Sequence, residues 1–312
     1  MPASPNAAPE RIKDANVRYH DAAAGEYDSK WGIDFGPVGQ DQVRGKVEKA
    51  LGSWPDRPFR DALEIGSGTG YFSLNLVQLG LIERLVATDI SPGMLAELRS
   101  TAGDLGLEVR TETTDAERLP FDGDSFDLAF GHAVLHHLPD LGGALGELHR
   151  VLRPGGMLTF CGEPSRYGDL LAAVPKRAAS LVAPLWRLLL GASSRRPDPA
   201  EHIDGHELEP SVDVHSFRPD RLAKQLREAG FAGVRIRGEE LLANAYGWTV
   251  RTLEGTAEPE EVPMRWRELA FRGYLALQGV DAALLEPRLP AALFYNLVLS
   301  ARKPLDQPNV NA

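Results

Sequence analysis

The sequence predicts an α/β fold: a doubly wound, mostly parallel seven-stranded sheet with helical insertions after the fifth strand and before the last. Three observations predict it. Residues 62–76, ALEIGSGTGYFSLNL, carry an apolar strand through a glycine turn into a helix. Apolar strands then alternate with helical segments as far as Cys161, at the spacing of βαβ units. After an interruption the alternation resumes at 221–237, and residues 293–301, LFYNLVLSA, close the chain with a last strand.

The N-terminal stretch 1–14, opening MPASPNAAPE, reads as a flexible tail without the apolar run of a signal peptide. Residues 11–31 mix alanines and charges with Tyr19, Tyr27 and Trp31 as large apolar positions. They are expected to form a helix. It either packs on the domain edge or acts as a lid whose tyrosines close over a ligand. In the central stretch Ala62, Leu63 and Ile65 supply the first strand. Gly66, Gly68 and Gly70 supply the turn. Phe72, Leu76 and Leu79 follow at helical spacing, and Gly80 offers a stop. Such a turn at the carboxyl edge of a parallel sheet builds a nucleotide-binding crevice.

The second strand is expected over 84–88, ending at Asp89. Ser91 is a good N-cap, Pro92 suits the first helical position, and Met94, Leu95 and Leu98 share a face. Residues 108–113 form a third strand, followed by the acidic loop Asp115, Ala116, Glu117. FDLAF at 126–130 is the fourth strand and runs into Gly131, His132 and VLHHLPD. Leu141, Leu145, Leu148 and Leu152 mark a helix with one buried face. Pro154, Gly155 and Gly156 then turn the chain into MLTFC, the fifth strand.

From Glu163 the pattern changes. Residues 169–191 are strongly apolar, interrupted by Pro175 and Pro184, and carry Lys176, Arg177 and Arg187. The plain expectation is a helix pair whose apolar face, with Leu170, Leu171, Leu181, Val182, Leu185, Trp186 and Leu189, is buried on the domain or in a dimer. A lid over a lipophilic acceptor is a secondary role. Contact with a membrane surface, cations toward the headgroups, stays open. Residues 192–215 are polar and loop-like. There His202, Asp204, His206, Asp213 and His215 cluster, but Gly205 between the two histidines argues against a helical metal pair, and no metal is expected. The helix 221–229 and the strand 234–237 precede a second insertion, roughly 240–290, with Trp248, Trp266, Phe271 and Tyr274. The expected organisation is a core over 15–165, an insertion or lid over 166–215, a completing segment over 216–304 and a tail over 305–312.

The formal net charge of −10 disfavours nucleic acid as the main partner. The single cysteine, Cys161, excludes an intramolecular disulfide and cysteine-rich metal sites. No apolar run is long enough to span a bilayer, and the cytoplasm is the expected location.

A dinucleotide fingerprint wants G-x-G-x-x-G. Here the run is Glu64-Ile65-Gly66-Ser67-Gly68-Thr69-Gly70, with Tyr71 where that fingerprint has its last glycine. In this E-x-G-x-G-x-G run, with Asp89, Asp115 and LHRVLRPGGMLTF following in order, the sequence resembles the class I S-adenosylmethionine-dependent methyltransferases. It is most similar to the ubiquinone/menaquinone-biosynthesis and small-molecule branch. The resemblance covers roughly 15–165 and returns at 216–237 and at the final strand.

It implies S-adenosylmethionine as cofactor, with Gly66, Ser67, Gly68 and Gly70 set against the methionine portion. It implies Glu64 orienting the amino group and Asp89, 19 residues beyond Gly70, accepting from the ribose hydroxyls. Ile90 would stack on the adenine, Asp115 accept its amino group, and the Ala116 backbone meet a ring nitrogen. Gly131 and His132 would lie near the reacting methyl, and Tyr27 and Met94 count among the contacts. A methyl already activated by a sulfonium needs an aligned acceptor, exclusion of water and, for a hydroxyl, a base. His132, His136 and His137 are the candidates, each with the alternative of packing or holding the loop. The family's N-methyltransferase signature, Asn or Asp followed by Pro-Pro and an aromatic, is replaced by GHAVLHH. Methyl transfer to oxygen or carbon of a small, lipophilic metabolite is therefore expected, with the oligomeric state open. A non-catalytic cofactor-binding or partner-binding protein is the alternative. An NAD-dependent oxidoreductase is disfavoured by Tyr71 and by the closing strand.

Overall fold

The computed structural model describes residues 9–28, 32–195 and 214–305. Trp31, His202, Asp204, His206 and Asp213 lie outside the described residues. Seven strands form one sheet: β1 (Phe59–Ile65), β2 (Ile82–Asp89), β3 (Arg110–Thr113), β4 (Phe126–His132), β5 (Leu152–Pro164), β6 (Ala232–Glu239) and β7 (Asn296–Arg302). Their order is β3-β2-β1-β4-β5-β7-β6. The first five strands run parallel, and β7 is antiparallel to both β5 and β6. Strand order reverses between β1 and β4, and Glu64 stands in register with Ala87 of β2 and Phe130 of β4 at that reversal. A crevice outside the carboxyl ends of the strands belongs at such a switch point.

Two apolar layers cover the sheet. Along β1 successive side chains alternate, so Leu63 and Ile65 enter one core and Ala62 the other. The helices in chain order are α1 (Pro9–Ala23), α2 (Pro37–Leu51), α3 (Tyr71–Gln78), α4 (Pro92–Asp104), α5 (Leu141–Val151), α6 (Arg166–Leu190), α7 (Pro219–Glu228), α8 (Leu242–Glu254) and α9 (Met264–Val280). Helices α2, α3 and α4 pack on one layer through Val43, Val47, Phe72, Leu76, Leu95 and Leu98. Helices α5 and α7 pack on the other through Leu145, Leu148, Leu222 and Leu226. The caps follow side-chain chemistry. Ser91 accepts from the Met94 N–H at 3.1 Å, and Asp140 accepts from the Gly143 N–H at 2.9 Å.

The expected elements are present with shifted ends. The last strand starts at Asn296, because Ala291–Leu293 forms a 3-10 turn after Pro290. The fifth strand takes in the Pro-Gly-Gly run, with Gly155 at φ 82°.

The larger difference lies in the insertion after β5. Pro175 and Pro184 do not break it into a helix pair: α6 is one 25-residue helix containing both. Ser165 caps its start, accepting from the Gly168 N–H, and Gly191 at φ 71° caps its end. Ala179, Ala183 and Trp186 anchor it in a small apolar cluster with Leu253, Ala257 and Val262, which offsets the hydrogen bond each proline removes. Among the described residues no helix is long and apolar enough to cross a membrane.

Candidate active site

The three glycines after β1 do three different things. Gly66 has φ 58°, and a Cβ there would stand 2.2 Å from Cγ2 of Val134. It therefore permits the loop after β4 to close onto the turn. Gly68 has φ 52° and faces open space. Gly70, at φ 93°, begins α3 so close to Leu74 and Leu98 that a Cβ would meet each at 2.9 Å. Only Gly68 presents bare backbone to the crevice, and it is there that a ligand can approach without meeting a side chain.

Two carboxylates flank this turn. Glu64 is buried, and its Oε2 has no hydrogen-bond partner. Burial, reinforced by the neighbouring Asp89, pushes its carboxyl up to about 8. Asp89 accepts from the Gly68 N–H through Oδ2 and from the Ser91 N–H through Oδ1, each at 2.8 Å. Burial raises its pKa while these N–H groups pull it back. The buried Ser67 hydroxyl also lacks a partner. An orphaned acid, an oriented acid and an open glycine face suit a ligand bearing an ammonium and a diol, so the residues present fit S-adenosylmethionine.

The other residues expected around a cofactor spread outward from here. Ile90 is half-buried at the end of β2. Met94 is fully buried beneath the Ser91 cap. Asp115 is half-buried, takes the Glu117 N–H on Oδ1 at 2.9 Å and pairs through Oδ2 with Lys13 Nζ at 2.6 Å. Lys13 also pairs with Glu117, and Ala116 packs its methyl against the core.

Helix α1 therefore reaches over the site, and it does so with charges. Besides Lys13, Asp21 accepts from the Ser91 hydroxyl and the Gly93 N–H, and beyond the helix's end Asp28 accepts from the Thr69 hydroxyl. Tyr19 is buried beside Ala15 and packs. Tyr27 is half-buried, its ring 6.3 Å from that of His20.

The end of β4 forms the opposite wall. Gly131 is closed in: a Cβ would meet Phe160, the Ile65 carbonyl and Val134 within 2.8 Å. The His132 ring stacks on Phe72 at 5.3 Å and meets Tyr71 edge-on at 5.4 Å, and Gly162 at φ 76° leaves room for its Nε2. Burial, then the nearby Lys46 ammonium, depress its pKa to about 3, so the ring is neutral at pH 7. Ala133 carries φ 53°, a left-handed conformation unusual for alanine, and it aims the next residues at the site. His136 is oriented by Glu163, its Nδ1 lying 2.9 Å from Oε2. Glu163 is fully buried and also accepts from the backbone N–H groups of Val134, Leu135 and His136. The His137 ring lies 4.0 Å from that of His136 and 5.6 Å from that of His20. The three candidate histidines thus have different surroundings, and at His136 the Glu163 carboxylate holds a ring nitrogen.

Glu163 carried no expectation in the sequence beyond marking the end of the strand pattern. Its signal was an acid one glycine beyond the apolar run 157–161. A second unexpected group is the buried charge network joining α2 to the end of β6. Lys46 Nζ lies 2.6 Å and Lys49 Nζ 3.0 Å from Glu239, and Lys49 also reaches Glu286 at 3.0 Å. Glu240, with φ 61°, accepts from the Tyr274 hydroxyl at 2.8 Å and from Gln278 at 2.7 Å, tying α9 to the sheet. Against its burial, the two ammonium groups hold Glu239 at about 2. Adjacent acids at the end of a strand, Glu239-Glu240, were the readable signal. Among the described residues no cluster of potential metal ligands is present.

Comparison with known proteins follows the same lines. A family model described as "Methyltransferase domain" matches residues 63–160. The malonyl-[acyl-carrier protein] O-methyltransferase of Serratia marcescens is 32% identical over 181 residues, 56% of this chain and 64% of that protein. This chain thus matches less than two thirds of that relative's length. The demethylmenaquinone methyltransferase of Mycolicibacterium paratuberculosis is 35% identical over 205 residues, 64% of this chain and 79% of that protein. Among solved structures, the [4+2]-cyclase SpnF shares 18% identity and a TM-score of 0.57, covering 98% of this chain and 99% of that one. At that identity the likeness is one of fold.

Proposed function

The chain belongs to the class I S-adenosylmethionine-dependent methyltransferases, and from that premise we propose that it moves the cofactor's methyl group to an oxygen or carbon of a small, lipophilic metabolite. S-Adenosylmethionine supplies an electrophilic methyl on a sulfonium. The observation that carries the reading is the unpartnered, buried Oε2 of Glu64 beside the open face of Gly68. On this reading Glu64 receives the ammonium and Asp89 the ribose hydroxyls, and Ile90 and Asp115 receive the adenine. Gly66, Ser67, Gly70, Met94, Ala116 and Gly131 shape the surrounding wall, and Tyr27 closes it from the N-terminal side.

For a hydroxyl acceptor the proton goes to His136. Glu163 orients that ring and stabilises the imidazolium formed as the acceptor oxygen loses its proton. His132 suits this role poorly, since a base near pKa 3 is matched to no reaction at neutral pH. It serves instead as a neutral wall between Phe72 and Tyr71. The relatives' names support the coarser part of this reading: one is a demethylmenaquinone methyltransferase, and the other is an O-methyltransferase whose acceptor is malonyl-[acyl-carrier protein].

The test is incubation with methyl-labelled cofactor and a lipid-soluble metabolite extract. Label is expected in a solvent-extractable product. Tight binding of S-adenosylhomocysteine without labelled product would favour the binding-protein alternative, and binding of NADH in its place would overturn the reading. His136→Gln is expected to lower kcat by about 10²-fold while cofactor affinity holds, the range for loss of a positioned proton acceptor. Unchanged kcat would return His136 to a purely structural role.

A further inference from the structure

Helix α6 is turned inside out relative to an ordinary surface helix. It meets the protein through small residues: Gly168, Ala172, Ala179 and Ala183 are buried, with Trp186 the one large side chain on that face. Its large apolar residues face away. Leu181 is 83% exposed, Leu188 and Leu189 are each 77% exposed and Val174 is 66% exposed, with Leu170 and Leu185 also exposed. These positions recur at helical spacing, so they form one stripe running from Leu170 to Leu189, about 28 Å at 1.5 Å per residue. A globular domain rarely leaves so long an apolar stripe uncovered without a partner.

Charge says what the partner is. The helix carries Arg166, Lys176, Arg177 and Arg187 against one acid, Asp169, on a chain whose net charge is −10. The Lys176 ammonium sits 3.7 Å from the Trp248 ring centroid, on the side of α8. Arg177 is exposed and Arg187 half-buried, and by helical spacing both lie along the edge of the stripe. A second copy docked face to face would set this cationic edge against its own like. The acidic remainder of the molecule does not cancel the local attraction, because exposed charges farther than about 8–10 Å are largely screened at physiological ionic strength. The helix is not apolar enough to span a bilayer.

We propose that α6 lies along an anionic lipid surface, with the Leu170–Leu189 stripe in the acyl boundary and Arg177 and Arg187 at the headgroups. This interaction surface stands whatever the methyl acceptor is.

Co-sedimentation of the full chain with vesicles tests it. One set is phosphatidylcholine alone and the other phosphatidylcholine mixed with phosphatidylglycerol. The protein is expected to pellet with the mixed vesicles, less so as salt rises, and only weakly with phosphatidylcholine. Leu181→Glu combined with Leu185→Glu is expected to reduce the bound fraction at least about tenfold with Tm unchanged, since both positions are exposed. Arg177→Glu with Arg187→Glu is expected to remove the preference for the anionic vesicles. Failure to pellet with either set overturns the proposal, as does wild-type binding by the double leucine variant. A vesicle-free dimer that Leu181→Glu dissociates, without vesicle binding, would assign the stripe to a second copy and also overturn it.

Discussion

The turn after β1 and the loop after β4 are each organised by a buried carboxylate, and the two carboxylates stand in opposite states. Glu163 accepts from three backbone N–H groups and one imidazole. Glu64 keeps an oxygen with no partner at all. Both sit in the sheet near the ends of the two strands that flank β4. The difference separates architecture from readiness to bind. A saturated carboxylate stabilises the loop that carries it, whereas an orphaned one costs stability until a ligand arrives. Through Val134, which Gly66 admits into close contact, the two regions touch.

Removing the saturated acid should cost most. Glu163→Ala takes the buried acceptor away from three backbone N–H groups and from Nδ1 of His136, and a loss of about 3–5 kcal/mol in denaturant unfolding is expected. A loss below about 1 kcal/mol would mean that the loop after β4 is held by packing instead. Asp89→Asn comes next. The amide keeps an acceptor for one of the N–H groups of Gly68 and Ser91, turns its own NH2 toward the other and loses the charge, a local cost through which the fold should persist. Calorimetry should then show cofactor affinity falling by about tenfold to a hundredfold, the worth of one or two hydrogen bonds to a charged group. Unchanged affinity removes Asp89 from the site.

Glu64→Gln should show the reverse signature to Glu163→Ala. In the free protein Glu64 titrates near 8 against a usual value of 4.5. Below 4.5 it is protonated folded or unfolded. Between 4.5 and about 8 the folded chain holds a proton that the unfolded chain has lost, so stability falls as pH rises through that window. The glutamine variant lacks this loss and should be the more stable protein at pH 7.5. Its cofactor affinity should drop about tenfold, and the rise in wild-type affinity from pH 6 to 7.5, as the bound ammonium draws the carboxyl into its ionised form, should flatten. A variant less stable than wild type at pH 7.5 would show that the carboxylate is satisfied after all.

Much of this was legible beforehand because it is local. The strand, glycines, N-caps and spacing of Asp89 are fixed by neighbours in the chain, and they reappear at the switch point of the sheet. What was not legible is long-range. Glu163 matters because β5 pairs with β4 and brings it under residues 134–136. Lys46 meets Glu239 across 193 positions, and although the adjacent acids Glu239 and Glu240 stand out in the sequence, nothing there says which cations they meet. The prolines of α6 misled because local cost was weighed without the anchoring by Ala179, Ala183 and Trp186. The apolar face of that helix also turned the other way: Leu181 and Leu185 are exposed where burial was expected, and only Trp186 of the expected face is buried.

The smallest effect concerns the helix that crosses both regions. Lys13 joins α1 to Asp115 and Glu117, while Asp21 and Asp28 join the same segment to Ser91 and Thr69. On the proposed reading, a ligand seated at Gly68 and Asp89 passes under α1, and its release parts these contacts. Lys13 and Asp115 are partly open to solvent, at 24% and 33% side-chain exposure, so the pair is worth at most about 1 kcal/mol. Lys13→Ala should consequently speed both association and release of S-adenosylhomocysteine severalfold in stopped-flow fluorescence. The two changes should nearly cancel, moving Kd by less than about threefold. The wild-type rates should approach those of the variant as salt screens the pair. Equal rates at low salt would show that α1 is packing on the domain edge and that the gate, if the site has one, lies on the other wall.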